Sequence, residues 1–156
     1  MNIRPITEND VEQFFHMLCQ LDEETDFMMY EPGERQQRTK SLEFLKGRIG
    51  SAVSGTDLLL VAEDEHSTLA GFIWAERGTL NRIAHTAYIV IGVRLIYRHQ
   101  GIGTAFFRQV DDWARKNDIV RLELTVECDN IHAKALYEKQ GFSVEGVRPK
   151  SMKVNG

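Results

Sequence analysis

The most constraining part of this sequence runs from Ile83 to Val126. It opens with Ile83 to Val93, a β-branched and aromatic run suited to a central strand. A glycine-punctuated turn follows, and from Gly101 the apolar period becomes helical, with Phe106, Val110, Trp113 and Ala114 on one face. Lys116-Asn117-Asp118 ends that helix. Ile119 to Val126 then alternates Leu122, Leu124 and Val126 against Arg121, Glu123 and Thr125, the pattern of a second strand. Strand, helix and strand in so short a stretch imply parallel pairing through a right-handed crossover. A chain that contains this unit folds as a mixed α/β domain.

The flanking sequence supplies the other elements. Residues 2 to 6 read as a short strand. Thr7 and Asp10 resemble an N-cap with an acidic first turn, ahead of a helix carrying Val11, Phe14, Phe15, Leu18 and Leu21. Glu31-Pro32-Gly33-Glu34 interrupts it. A second helix places Leu42, Leu45 and Ile49 on one face and ends near Gly50. Strands are expected over Asp57–Glu63 and Leu69–Glu76. Asn130 is placed to cap a helix over Ile131–Gln140, Gly141 stands at its C′ position, and Phe142–Val147 begins a last strand. The expected order is strand–helix–helix–strand–strand–strand–helix–strand–helix–strand, one domain over residues 1–156.

Composition narrows the function. A net charge of −4 gives no support for a nucleic-acid or membrane-surface partner, and mildly favours a cationic one. No apolar run is long enough to span a membrane, and the N-terminus lacks the layout of a signal peptide, so a cytoplasmic protein is expected. The two cysteines, Cys19 and Cys128, have no companions at metal-ligand spacing; neither a disulfide framework nor a metal site is expected. Cys128 reads as a small buried residue.

Chemistry concentrates in Arg98-His99-Gln100-Gly101-Ile102-Gly103-Thr104, between a buried strand and an amphipathic helix. Backbone N–H groups at a helix start have no intrahelical partner, the helix dipole adds positive charge there, and such an end holds phosphate. Glycine permits close approach and unusual backbone angles. Arg98 offers a charge-assisted contact. A tight turn with no ligand is the equal alternative on these residues alone. A Walker loop is excluded because Thr104-Ala105 follows Gly103, and a dinucleotide fingerprint because Phe106 stands where a small residue is required.

Arg98-His99-Gln100-Gly101-Ile102-Gly103 resembles the R/Q-x-x-G-x-G/A signature of the GNAT superfamily of acetyl-CoA-dependent N-acetyltransferases, with Val93 where that family closes its central strand. Asn130-Ile131-His132-Ala133-Lys134-Ala135-Leu136-Tyr137-Glu138-Lys139-Gln140-Gly141-Phe142 resembles its N-x-x-A-x-x-L-Y-E-K-x-G-F segment. Ile3-Arg4-Pro5 and Asp10 are similar to its usual start. The resemblance implies the GNAT fold, acetyl-CoA as cosubstrate without metal, and a primary amine of a small molecule or peptide as acceptor. It implies that the two strands of the parallel pair splay at their C-terminal ends. The pantetheine arm would pair with Ile91 and Val93, and the diphosphate would meet Arg98 to Thr104, with Asn130 and Ala133 nearby. The amine would attack the thioester directly through a tetrahedral intermediate. Tyr137 matches the family's general acid.

The proton acceptor stays open: His85 is the nearest titratable group at the central strand's start, with Glu76, Glu123 and Glu127 as alternatives. The link between the first two helices overlies the acceptor pocket in this family, which would make Phe27, Met28 and Tyr30 its wall and Glu31 or Glu34 its charge. The family's usual seventh strand has no counterpart before Gly156, and an open sheet edge would favour a homodimer. A non-catalytic CoA-binding regulatory module, and another nucleotide binder sharing the phosphate turn, are the competing readings.

Overall fold

The structure, a computed structural model, describes residues 1–38 and 41–156. Its elements are β1 (Asn2–Pro5), α1 (Val11–Glu24), a single turn α2 (Glu34–Gln37), α3 (Ser41–Val53), β2 (Leu58–Glu63), β3 (Leu69–Arg77), β4 (Thr86–Val93), α4 (Ile102–Lys116), β5 (Arg121–Glu123) and α5 (Ile131–Lys139). One sheet carries all five strands in sequential order. The first four are antiparallel, and β5 joins β4 in parallel. The strand–helix–strand unit therefore pairs as its sequence requires.

Helices cover both faces, because strand side chains alternate between them. Leu59, Val61, Phe72 and Trp74 meet Phe14, Leu18 and Leu21 of α1 and Ile49 of α3 on one face. Leu60, Ile73, Ala75 and Ile89 meet Phe106, Phe107 and Val110 of α4 on the other. The two clusters fix the sheet between two helical layers.

Several boundaries differ from expectation. Asn81–Ile83 forms a 3-10 turn, so β4 starts at Thr86. The second helix continues past Gly50 to Val53, a continuation its buried Leu45 and Ile49 stabilise. β5 spans only Arg121–Glu123. Among the described residues no strand follows β5, and Phe142–Val147 joins no ladder. Phe142 packs on Phe107 and Tyr137, but Val144 and Val147 are both 68% exposed, so the rest of the segment buries too little apolar surface to hold a ladder, and Arg121 meets it at Glu145 at 2.7 Å. Asn130 does cap α5, its Oδ1 accepting from the Ala133 N–H at 3.3 Å, and Gly141 takes the left-handed φ of +96° just beyond the helix.

Candidate functional site

The β4–β5 ladder ends at Tyr88 opposite Glu123, whereas β4 runs on to Val93. The His85 carbonyl accepts from the N–H groups of Val120 and Arg121, so odd-numbered residues of β4 aim their main chain at the β5 side. Thr86 and Arg94 face β3 instead, through bonds to Gly78 and Ala70. By this alternation Ile91 and Val93 direct their N–H groups to an edge with no strand opposite. The strands part there. Tyr88 Oη lies 2.7 Å from Thr125 Oγ1 at the base of the parting, and Arg98 Nε donates to the Val93 carbonyl at 3.1 Å.

Beyond β4, a 3-10 turn at Leu95–Tyr97 leads into the glycine segment. His99 has φ +61° and Gly101 φ +78°, and α4 begins at Ile102. The first helical bond runs from the Ala105 N–H to the Gly101 carbonyl. The N–H groups of Gly101, Ile102, Gly103 and Thr104 therefore find no acceptor among the described residues. The buried Ile102 side chain fixes this turn to the core. Gln100 is exposed beside it.

The two glycines act differently. A Cβ on Gly101 would meet nothing within 4 Å, and its left-handed angle is what glycine permits there. A Cβ on Gly103 would come within 2.8 Å of Leu136 Cδ2, so Gly103 lets α4 and α5 approach closely. The His99 and His132 rings meet edge to face at 5.8 Å, which also ties the turn to α5.

Tyr137 is half-buried in a ring cluster, 6.0 Å from both Phe107 and Phe142. Burial, and secondarily the neighbouring Tyr88, push its phenol up to about 12. The group is thus protonated at neutral pH, and its oxygen has no hydrogen bond to the described residues.

The candidate proton acceptors separate clearly. His85 is exposed at the opening end of β4, about 27 Å from Val93 at a strand's rise per residue, and the structure does not bring it to the parting. Glu76 is paired with Arg48 at 2.6 Å and Glu123 with Arg121 at 2.9 Å. Glu127 follows the parting, and its Oε1 is buried without a hydrogen-bond partner. Cys128 is exposed in the turn before α5, contrary to the expectation of a small buried residue.

Between α1 and α2, a cleft of about 260 Å³ has Met28, Tyr30 and Glu31 on one side and Met152 to Asn155 on the other. Of the five expected acceptor residues these three line it. Phe27 is 41% exposed outside it, and Glu34 accepts from the Glu31 N–H and pairs with Arg38. Sequence reasoning missed the ion pairs that hold this loop. Arg35 forks onto the fully buried Asp22 at 2.7 and 3.0 Å and stacks 4.2 Å from the Tyr30 ring centroid. Arg94 and Glu24 join across 70 residues at 2.9 Å. Neither spacing carries a local signal.

The sequence model of the acetyltransferase (GNAT) family matches residues 15–142, a span that includes the parted strands, the glycine turn and the capped α5. The chain belongs to the GNAT acetyltransferase family. Solved GNAT relatives share its architecture. A Streptococcus pneumoniae GNAT-family acetyltransferase superposes with a TM-score of 0.84 at 25% identity, covering 93% of this chain and 86% of that one. The PaiA N-acetyltransferase of Thermoplasma acidophilum, solved with coenzyme A, superposes with a TM-score of 0.80 at 27% identity over 95% and 92%. Among curated relatives, the Escherichia coli L-amino acid N-acetyltransferase AaaT is 35% identical over 79 residues, 48% of this chain and 47% of that protein. Mycothiol acetyltransferase of Corynebacterium diphtheriae is 32% identical over 90 residues, 57% and 30%. The chain thus spans less than half the length of these two curated relatives. Among the described residues no cluster of side chains is placed to hold a metal ion, and no helix is long and apolar enough to cross a membrane.

Proposed function

We propose that this chain transfers the acetyl group of acetyl-CoA to a primary amine of a small molecule or peptide. The observation that carries the reading is two sets of unpartnered main-chain donors, Ile91 and Val93 on the parted edge of β4 and the amides of Gly101–Thr104 at the start of α4. A nucleotide whose diphosphate carries an amide-bearing arm matches both sets. The coenzyme A complex of the PaiA relative supports the choice.

Acetyl-CoA supplies an activated acetyl thioester. The Gly101–Thr104 amides hold its diphosphate, with His99 and Gln100 beside them and Arg98 braced on Val93. The free main chain of Ile91 pairs with the pantetheine arm, and the N–H near Val93 donates to the carbonyl oxygen as negative charge grows there. Asn130 and the Ala133 amide hold the start of α5, which sets the position of Tyr137. Tyr137 gives its proton to the departing thiolate. Glu127, the one of the three glutamates with an unpartnered buried oxygen, takes the proton from the ammonium; His85 is too remote. Met28, Tyr30 and Glu31 receive the amine.

Free-thiol release from acetyl-CoA across an amine panel tests the reading. Release should depend on an amine, and acetyl-CoA or CoA should raise the melting temperature where NAD and ATP do not. Stabilisation by NAD or ATP alone rejects it. Tyr137→Phe should lower turnover about 10²-fold with acetyl-CoA affinity intact.

A further inference from the structure

The last turn of α1 carries Asp22, Glu23 and Glu24, and the spacing of Asp22 and Glu24 puts those two on different sides of the helix. Asp22 is fully buried and accepts the bidentate fork of Arg35 from α2. Arg35 in turn stacks on Tyr30 in the α1–α2 loop. Glu24 reaches the other way. Its Oε1 accepts from Arg94 Nε and Nη2 at 3.2 and 2.9 Å, and its Oε2 accepts from the Leu95 N–H at 2.8 Å. That N–H opens the 3-10 turn leading into Arg98–Thr104. Both partners of the Glu24 pair are only about one-sixth exposed, at 16% and 17%, so solvent screens the pair weakly.

One helical turn therefore grips the loop beside the cleft with one carboxylate and the root of the glycine turn with the other. A displacement at the glycine turn reaches the loop through the Arg94 and Leu95 bonds to Glu24, the end of α1 and the Arg35 fork on Asp22. We infer that Glu24 and Asp22 are positioning residues that couple the two sites, so that acetyl-CoA on the glycine turn orders the amine-binding loop. This rests on the acetyl-CoA reading above. By linkage, an amine in the cleft would tighten acetyl-CoA to the same degree.

Hydrogen exchange with acetyl-CoA as the only added ligand tests the coupling without knowledge of the amine. In the unaltered chain, acetyl-CoA should slow exchange both in residues 95–104 and in residues 25–33, the latter about fivefold, the low end of measured couplings. In Glu24→Gln the slowing at 95–104 should persist and that at 25–33 should fall away, with exchange of the ligand-free loop unchanged. Arg35→Lys keeps the charge but loses the fork, and should likewise abolish only the response of the loop. Equal protection of the loop in both variants, or a protected turn with an unresponsive loop in the unaltered chain, overturns the inference. Protection at neither segment overturns the acetyl-CoA reading and the coupling with it.

Discussion

The carboxylate of Asp10 accepts from Arg4 Nη1 and Nη2 at 2.8 and 2.9 Å, from the Thr7 N–H at 2.8 Å and from the Thr7 hydroxyl at 3.0 Å. Arg4 also donates to Glu63 on β2, so one guanidinium staples β1, β2 and the start of α1. The Arg4 bonds hold the Asp10 carboxyl below its ordinary range, against the opposing effect of burial. A depressed carboxylate stabilises the fold above its unfolded pKa near 4, and the contribution disappears as pH falls through the folded value. Asp10→Asn should therefore cost about 2 kcal/mol at pH 7 by chemical denaturation, and the gap to the unaltered chain should close in acid. A gap independent of pH would contradict this. At this scale Asp10 was legible from Thr7 and the first-turn pattern, and Tyr137 from the motif of its helix. Glu24 and Arg35 were not, because their partners are set by tertiary approach.

At the scale of elements, α4 meets α5 where Gly103 faces Leu136. Gly103→Ala would put a methyl 2.8 Å from Leu136 Cδ2, so one side chain must move. Because the end of the Leu136 side chain can shift and alanine favours the helix, Gly103→Ala should change stability by less than about 1 kcal/mol, and the double variant with Leu136→Ala should depart from the summed changes by at least about 0.5 kcal/mol. Additive changes would remove the contact. The glycine turn, the caps of α5 and the parallel crossover were all readable, because each depends on local angles or on apolar period. The extent of β5 and the course of residues 142–147 were not. Alternation marks what a strand would look like, while an edge forms only if its faces are covered, and Val144 and Val147 are not. Glycine spacing likewise did not separate Gly101, which serves a backbone angle, from Gly103, which serves helix packing.

Across the whole molecule, the sheet does two things at once. Its buried faces fix α1 and α3 on one side and α4 on the other, and its last parallel pair stops early enough to leave main-chain groups of β4 free. The candidate site is therefore a consequence of where a ladder ends, and the residues proposed to complete it come from the loop after α1, the segment before α5, and α4 and α5 themselves. The central claim is that the amides of Gly101–Thr104 bind diphosphate. A crystal structure with coenzyme A tests it most directly. Phosphate oxygens should lie about 2.7–3.2 Å from those nitrogens, with the pantetheine arm along Ile91 and Val93. Coenzyme A bound elsewhere, with the Gly101–Thr104 N–H groups bare, would contradict the account.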